Sequence, residues 1–150
     1  MTEVPTGHSA RRLALATYVK LMRAANSARN VASRQLADSD LTLTQFAVLE
    51  ALYHLGPMSL SDIAQKVLTT GGNLTMVVGN LEKSGLAKRQ RSPEDGRVLV
   101  VCLTSKGKSL IREIFPGHAD ALTEFINTLN PQEQKALGEL CRKLGQQAAE

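Results

Sequence analysis

The chain has 150 residues, a length that fits one domain. Aromatic residues make up only 3% and Trp is absent, so the core must consist of aliphatic side chains. No apolar run reaches the roughly 18 residues of a membrane span, and the N-terminus lacks the apolar segment of a signal peptide. The two cysteines lie far apart and in no motif, so they do not indicate a disulfide framework. This cysteine usage predicts that the protein works in the reducing cytosol.

The basic residues are concentrated in the middle of the sequence. The net charge is +4, and residues 59–108 hold eight basic and four acidic residues, while the rest holds ten of each. A basic segment of this kind is typical of a module that binds a polyanion such as nucleic acid. A solvated basic face without a partner is the alternative from charge alone.

Helical patterns fill the first half of the chain. Residues 9–37 form an alanine-rich pattern, and its small side chains permit close packing against a partner subunit. A second helix opens with the capping-box pattern T-L-T-Q at Thr42–Gln45 and ends at Gly56 and Pro57. A third helix opens at Ser59–Asp62.

The next segments predict a helix-turn-helix followed by a hairpin. A fourth helix follows T-T-G-G-N at residues 69–73, only a few residues after the third, and ends at Gly85 in a left-handed cap. Basic residues 87–91 and apolar residues 98–103 then flank a turn at Pro93–Gly96. This order predicts a mainly α fold with a small β-hairpin wing, a winged helix-turn-helix with helices added at both ends.

Two more helices complete the prediction. Thr104 caps a fifth helix, which Pro116 should kink or interrupt, and N-P-Q-E at Asn130–Glu133 opens a sixth. Cys102 falls in the apolar strand and Cys141 in the apolar stripe of the last helix, so both are expected to be buried.

Polar residues around the fourth helix have the chemistry that DNA requires. A helix N-terminus suits phosphate, and amide, hydroxyl and thioether side chains can contact base edges. The candidates are Thr69, Thr70, Gly71, Gly72, Asn73, Thr75, Met76 and Asn80. At the wing, Arg97 is expected to enter the minor groove, Asp95 to orient it, and Lys88, Arg89 and Arg91 to meet phosphates. The alternatives are a merely capped turn at residues 69–73 and solvated turn residues at the wing.

Four stretches together resemble the MarR family of bacterial transcriptional regulators. They are 41-LTLTQFAVLEAL-52, the segment from Ser59 to Arg89 with its N-L-E-K-S-G-L close, 93-PEDGRVLVVCLTSKGKSL-110 and 114-IFPGHADAL-122. The third contains D-x-R followed by L-T-x-K-G, a specific combination after a helix-turn-helix. Many relatives carry Arg at the Gly72 or Met76 position, and its absence here implies less reading of guanine.

The resemblance implies a homodimer that binds double-stranded DNA. Residues 9–38 and 104–149 would form the dimerisation helices, and residues 41–103 the DNA-binding region of a single domain. The fourth helix would enter the major groove and the wing the minor groove of a pseudo-palindromic operator. The implied activity is repression released by a small phenolic or lipophilic effector, in a pocket for which Tyr18, Met22, Leu52 and His54 are candidates.

Other functions find less support in the residues. No nucleophile–base pair, phosphate loop or carboxylate dyad indicates an enzyme, and no cofactor is implied. His8, His54 and His118 lack metal-ligand spacing, and no cysteine lies near the start of the chain, where oxidant-sensing relatives carry one. A winged helix that docks another protein stays the alternative, because fold does not fix function.

Overall fold

A computed structural model describes residues 7–67 and 71–148. Its elements follow the predicted order: α1 (His8–Arg34), α2 (Leu43–Leu55), α3 (Leu60–Lys66), α4 (Gly71–Lys83), β1 (Ala87–Arg91), β2 (Leu99–Leu103), α5 (Ser105–Ile126) and α6 (Pro131–Ala148). The two strands pair antiparallel, from Ala87 opposite Leu103 to Arg91 opposite Leu99. The mainly helical fold with a hairpin wing is therefore confirmed. Within the described residues, no helix has the length and apolar character needed to cross a membrane.

The chain divides into two compact units. One contains residues 33–120, which include α2 to β2 and most of α5, and the other contains the segments before residue 33 and after residue 120. The core of the first unit is mostly aliphatic, as the composition predicted, and Phe46, Met58, Cys102 and His118 are its other buried side chains. Its most deeply buried side chains are Phe46, Val48, Leu49, Ile63, Leu74, Val78, Leu81, Val101 and Ile111.

The helix ends read from the sequence are confirmed by their hydrogen bonds. The Gln45 N–H donates to Thr42 Oγ1 at 3.1 Å, while the Thr42 N–H donates to Gln45 Oε1 at 2.9 Å. Asn130 and Glu133 form the same reciprocal box at the start of α6. Each box satisfies N–H groups that have no partner within the helix.

Of the two predicted effects of Pro116, a kink or an interruption of the fifth helix, the interruption does not occur. α5 runs from Ser105 to Ile126 with Pro116 inside it. Proline removes one helical hydrogen bond and costs about 3 kcal/mol in a helix interior. Ile111 and His118, on either side of it, are buried, and this packing offsets the cost.

Cys141 is exposed, so its predicted burial is wrong, whereas Cys102 is buried as predicted. The cause is that the apolar stripe of α6 is uncovered in a single chain, where Leu140 is 61% and Leu144 57% exposed. Apolar periodicity marks a face that can be buried but does not say whether the same chain covers it.

A pairing that no sequence pattern indicated ties α3 to the wing. Met58, just before α3, forms an isolated antiparallel bridge with Val101 of β2. The Val101 N–H donates to the Met58 carbonyl at 2.7 Å, and the Met58 N–H donates back at 3.1 Å. The base of the hairpin is thus attached to the helix-turn-helix by backbone bonds.

Candidate nucleic-acid interface

The junction between α4 and the wing fixes the position of the hairpin. Gly85 has a φ of 74°, and the Leu86 N–H reaches back to the Leu81 carbonyl at 2.9 Å. This is the left-handed cap that the sequence predicted. Leu86 is buried beyond it, so the chain leaves α4 directly into β1.

The start of α5 closes the junction from the other side. Thr104 Oγ1 donates to the Gly85 carbonyl at 2.6 Å and accepts from the Gly107 N–H at 3.1 Å. Lys106 Nζ donates to the Ser84 carbonyl at 2.9 Å. These contacts give L-T-x-K-G a structural role, because its threonine and lysine side chains donate hydrogen bonds to backbone carbonyls just after α4.

The exposed face of α4 carries most of the predicted base-contacting residues. Asn73, Thr75, Met76 and Asn80 are exposed, whereas Leu74, Val77, Val78 and Leu81 are buried. Met76 is 62% exposed, so its side chain faces solvent in the single chain. This face therefore offers amide, hydroxyl and thioether groups outward.

The start of α4 corrects the predicted boundary. The helix begins at Gly71, so Gly71, Gly72 and Asn73 form its first turn and do not precede it. The positive end of the helix dipole lies at its first turn, so the backbone of these residues provides it. Thr69 and Thr70 lie outside the described residues.

The wing tip is ordered by short polar contacts. Asp95 Oδ1 accepts the Arg97 N–H at 3.1 Å, and the Ser92 N–H donates to the Val98 carbonyl at 2.8 Å. Arg97 Nε lies 3.9 Å from Asp95 Oδ1, and the Arg97 side chain is 95% exposed. Asp95 therefore orients Arg97 mainly through its backbone, and the guanidinium extends into solvent.

Two predicted phosphate contacts are engaged within the chain. Arg91 Nη1 donates to the Gly96 carbonyl at 2.7 Å, and Arg89 Nε pairs with Glu82 Oε1 of α4 at 2.9 Å. Arg91 thus supports the tip, and Arg89 braces the wing against α4. Lys88 is exposed on β1.

A cavity of about 520 Å³ lies beside the wing, between the end of α2, β2 and α5. Leu52 and His54, two predicted effector-pocket residues, line it together with Tyr53, Gly56, Pro57, Cys102, Leu103, Lys108 and Arg112. Arg112 Nε lies 3.4 Å from the Tyr53 hydroxyl, and the His54 ring contacts those of Tyr53 and Phe115.

Tyr18 and Met22 are exposed on α1 and do not line this cavity. Sequence reasoning missed Lys108 and Arg112, whose i, i+4 spacing on α5 was the available signal.

Comparison with known proteins identifies the family. The MarR family model matches residues 41–99. The HTH-type transcriptional regulator MhqR of Bacillus subtilis (strain 168) is 37% identical over 131 residues, which cover 87% of this chain and 90% of MhqR. The chain belongs to the MarR family. The family comprises DNA-binding transcriptional regulators, not enzymes.

Solved MarR-type structures agree with this fold. Sco3205, a MarR family regulator from Streptomyces coelicolor solved in complex with DNA, is 27% identical, with a TM-score of 0.79 and coverage of 97% of this chain and 91% of that one. BpsR of Bordetella bronchiseptica, whose DNA binding is regulated by 6-hydroxynicotinic acid, is 29% identical, with a TM-score of 0.75 and coverage of 94% and 97%.

Proposed function

We propose that this MarR family protein is a repressor that binds a pseudo-palindromic operator as a homodimer. α4 would read the major groove with Asn73, Thr75, Met76 and Asn80, and Arg97 would enter the minor groove. The observation that carries the proposal is the outward face of α4 beside a wing whose tip exposes one guanidinium. The DNA complex of Sco3205 supports it.

The phosphate contacts are proposed to come from two sources. The first turn of α4, with Thr69 and Thr70 before it, would bind phosphate through backbone N–H groups and hydroxyls. Lys88 is the exposed lysine of β1 and would meet the backbone beside the wing. Arg89 and Arg91 would act chiefly by holding the wing, because both already bond within the chain.

Salt dependence separates this proposal from a winged helix that docks a protein. Operator affinity is expected to fall steeply between 50 and 200 mM salt, by roughly one log unit per log unit of salt for each phosphate contact. The measurement is fluorescence anisotropy of a labelled operator duplex across a salt series. An affinity that barely changes over this range would favour a protein partner.

We further propose that the effector occupies the cavity beside the wing. Its lining combines the apolar Leu52 with His54, Lys108 and Arg112, which favours a ring compound with an anionic group over a neutral lipophilic one. The regulation of BpsR by 6-hydroxynicotinic acid supports this choice. The wider pocket that would include Tyr18 and Met22 stays a prediction.

The Arg112→Ala variant tests the effector proposal. With 6-hydroxynicotinic acid as the probe, the concentration that half-releases wild-type protein from DNA is expected to rise about tenfold or more in the variant, because a charge-assisted hydrogen bond is lost. DNA affinity without ligand should stay unchanged. Equal release of both proteins would remove Arg112 from the ligand site.

A further inference from the structure

The first helix carries a strong charge of one sign. α1 contains six basic residues and no Asp or Glu: Arg11, Arg12, Lys20, Arg23, Arg29 and Arg34. The charge balance outside residues 59–108 therefore conceals two opposite blocks. Residues 1–58 have six basic and four acidic residues, and residues 109–150 have four basic and six acidic residues.

Three arginines of α1 form a row at a regular spacing. Arg12, Arg23 and Arg34 are 11 residues apart and all exposed. Eleven residues make about three helical turns, so the three share one face at intervals of about 16 Å. The half-buried or buried Ala25, Ala28 and Ala32 lie on the other side of α1. We call Arg12, Arg23 and Arg34 the arginine row.

α5 carries a shorter acidic row, whose full length equals one interval of the arginine row. Glu113, Asp120 and Glu124 are exposed and share one face within about 40° of arc. Glu113 and Glu124 are also 11 residues apart, or about 16 Å along the helix. Ile111 and His118, which are buried, lie on the far side of α5. We call Glu113, Asp120 and Glu124 the acidic row.

Neither row is paired within the described chain. The ion pairs found among residues 7–67 and 71–148 join Arg89 to Glu82 and Arg97 to Asp95. Large apolar side chains also flank the arginine row, with Leu13 57% and Val19 43% exposed. Exposed apolar groups beside a charged row indicate a face that binds another protein chain, and not one that is only solvated.

We propose that the arginine row of one subunit pairs with the acidic row of a second copy of this chain. A two-fold axis would form the contact twice, since each subunit provides both rows. The inference rests on the proposed homodimer and adds an electrostatic register to it. Opposite sign and one shared interval of 11 residues favour this arrangement, because two neighbouring arginines of the arginine row can face Glu113 and Glu124 together, and a shift of one helical turn would misalign both pairs.

Charge reversal provides the test. One variant carries Arg12→Glu and Arg23→Glu, and the other carries Glu113→Lys and Glu124→Lys. Each alone is expected to raise the dimer dissociation constant about tenfold or more, measured by sedimentation at 50 mM salt, because attraction becomes repulsion at both symmetry-related contacts. The control Arg11→Glu with Arg29→Glu makes the same charge change off the row and should alter it less than about twofold.

Mixing the two variants gives the decisive result. The proposal predicts heterodimers of near wild-type affinity, because each reversed row then faces its opposite in the other chain. If all four substitutions in one chain restore dimerisation and the mixture does not, the rows pair within a chain and the proposal fails.

Three further outcomes would overturn the proposal in different ways. A reversed arginine row that leaves the dimer intact but weakens DNA binding assigns that row to DNA. A dimer unaffected by either reversal refutes the register and leaves the proposed function standing, whereas a wild-type protein that stays monomeric refutes the proposed homodimer itself.

Discussion

Replacing Gly107 with alanine is expected to destabilise the fold by roughly 3 kcal/mol, at the upper end of overpacking costs. A Cβ at this position would fall on the carbonyl oxygen of Leu86, far inside van der Waals contact, and close to Leu103 Cδ2 at 3.3 Å. The obstacle is backbone at the α4–wing junction, which cannot rotate away as a flexible side chain would. Urea unfolding followed by circular dichroism measures the loss.

Gly79→Ala is the matched control for that substitution. Gly79 also lies in a helix of the same unit, but nothing is within 4 Å of a Cβ built there. Alanine is favoured over glycine in helices by up to about 1 kcal/mol, so this variant should be as stable as wild type or more stable. If Gly107→Ala unfolds at the wild-type urea concentration, α5 does not approach Leu86 as closely as described.

Replacing Arg97 with alanine is expected to cost roughly 1–3 kcal/mol of operator binding and to leave the free energy of unfolding unchanged. Its guanidinium is 95% exposed, so removing it disturbs no packing. A narrow minor groove concentrates negative potential. An arginine that enters it therefore contributes more binding free energy than an arginine at the open DNA surface. The measurement pairs operator titration by anisotropy with a urea unfolding curve.

Arg142→Ala supplies the control for the loss of one positive charge. Arg142 is exposed on α6, outside the predicted DNA-binding region of residues 41–103. Its removal should change affinity by less than about twofold, the effect of a screened surface charge that makes no phosphate contact. An Arg97→Ala protein that binds as tightly as the Arg142→Ala protein would remove the wing tip from the mechanism.

Local chemistry explains why much of the fold could be predicted from the sequence. The boxes at Thr42–Gln45 and Asn130–Glu133 and the left-handed cap at Gly85 depend on residues within one turn. The outward face of α4 followed from the helical period of Leu74, Val77, Val78 and Leu81.

The features that could not be predicted depend on distant residues. Pro116 does not interrupt α5, because the packing of Ile111 and His118 offsets the local preference of proline for a helix end. Cys141 is exposed because burial of a periodic stripe needs a partner surface, which the single chain does not provide. The sequence predicts a phosphate contact for Arg89, because its pairing with Glu82, seven residues earlier, is visible only in the structure.

The close approach at Gly107 shows the same limit. The K-G pair marked the family, but the reason for glycine is a carbonyl 21 residues earlier in the chain. Such a contact has no local signature, since it arises where α5 packs onto the end of α4. Motif resemblance located the position, and only the three-dimensional structure assigns its physical role.

Selection of binding sites from random duplex DNA tests the central claim most directly. A homodimer that reads DNA with two α4 helices should enrich an inverted repeat whose half-sites lie about one helical turn apart. Enrichment of a single half-site would contradict DNA binding by a dimer. No enrichment by folded, dimeric protein without ligand would contradict sequence-specific DNA binding itself.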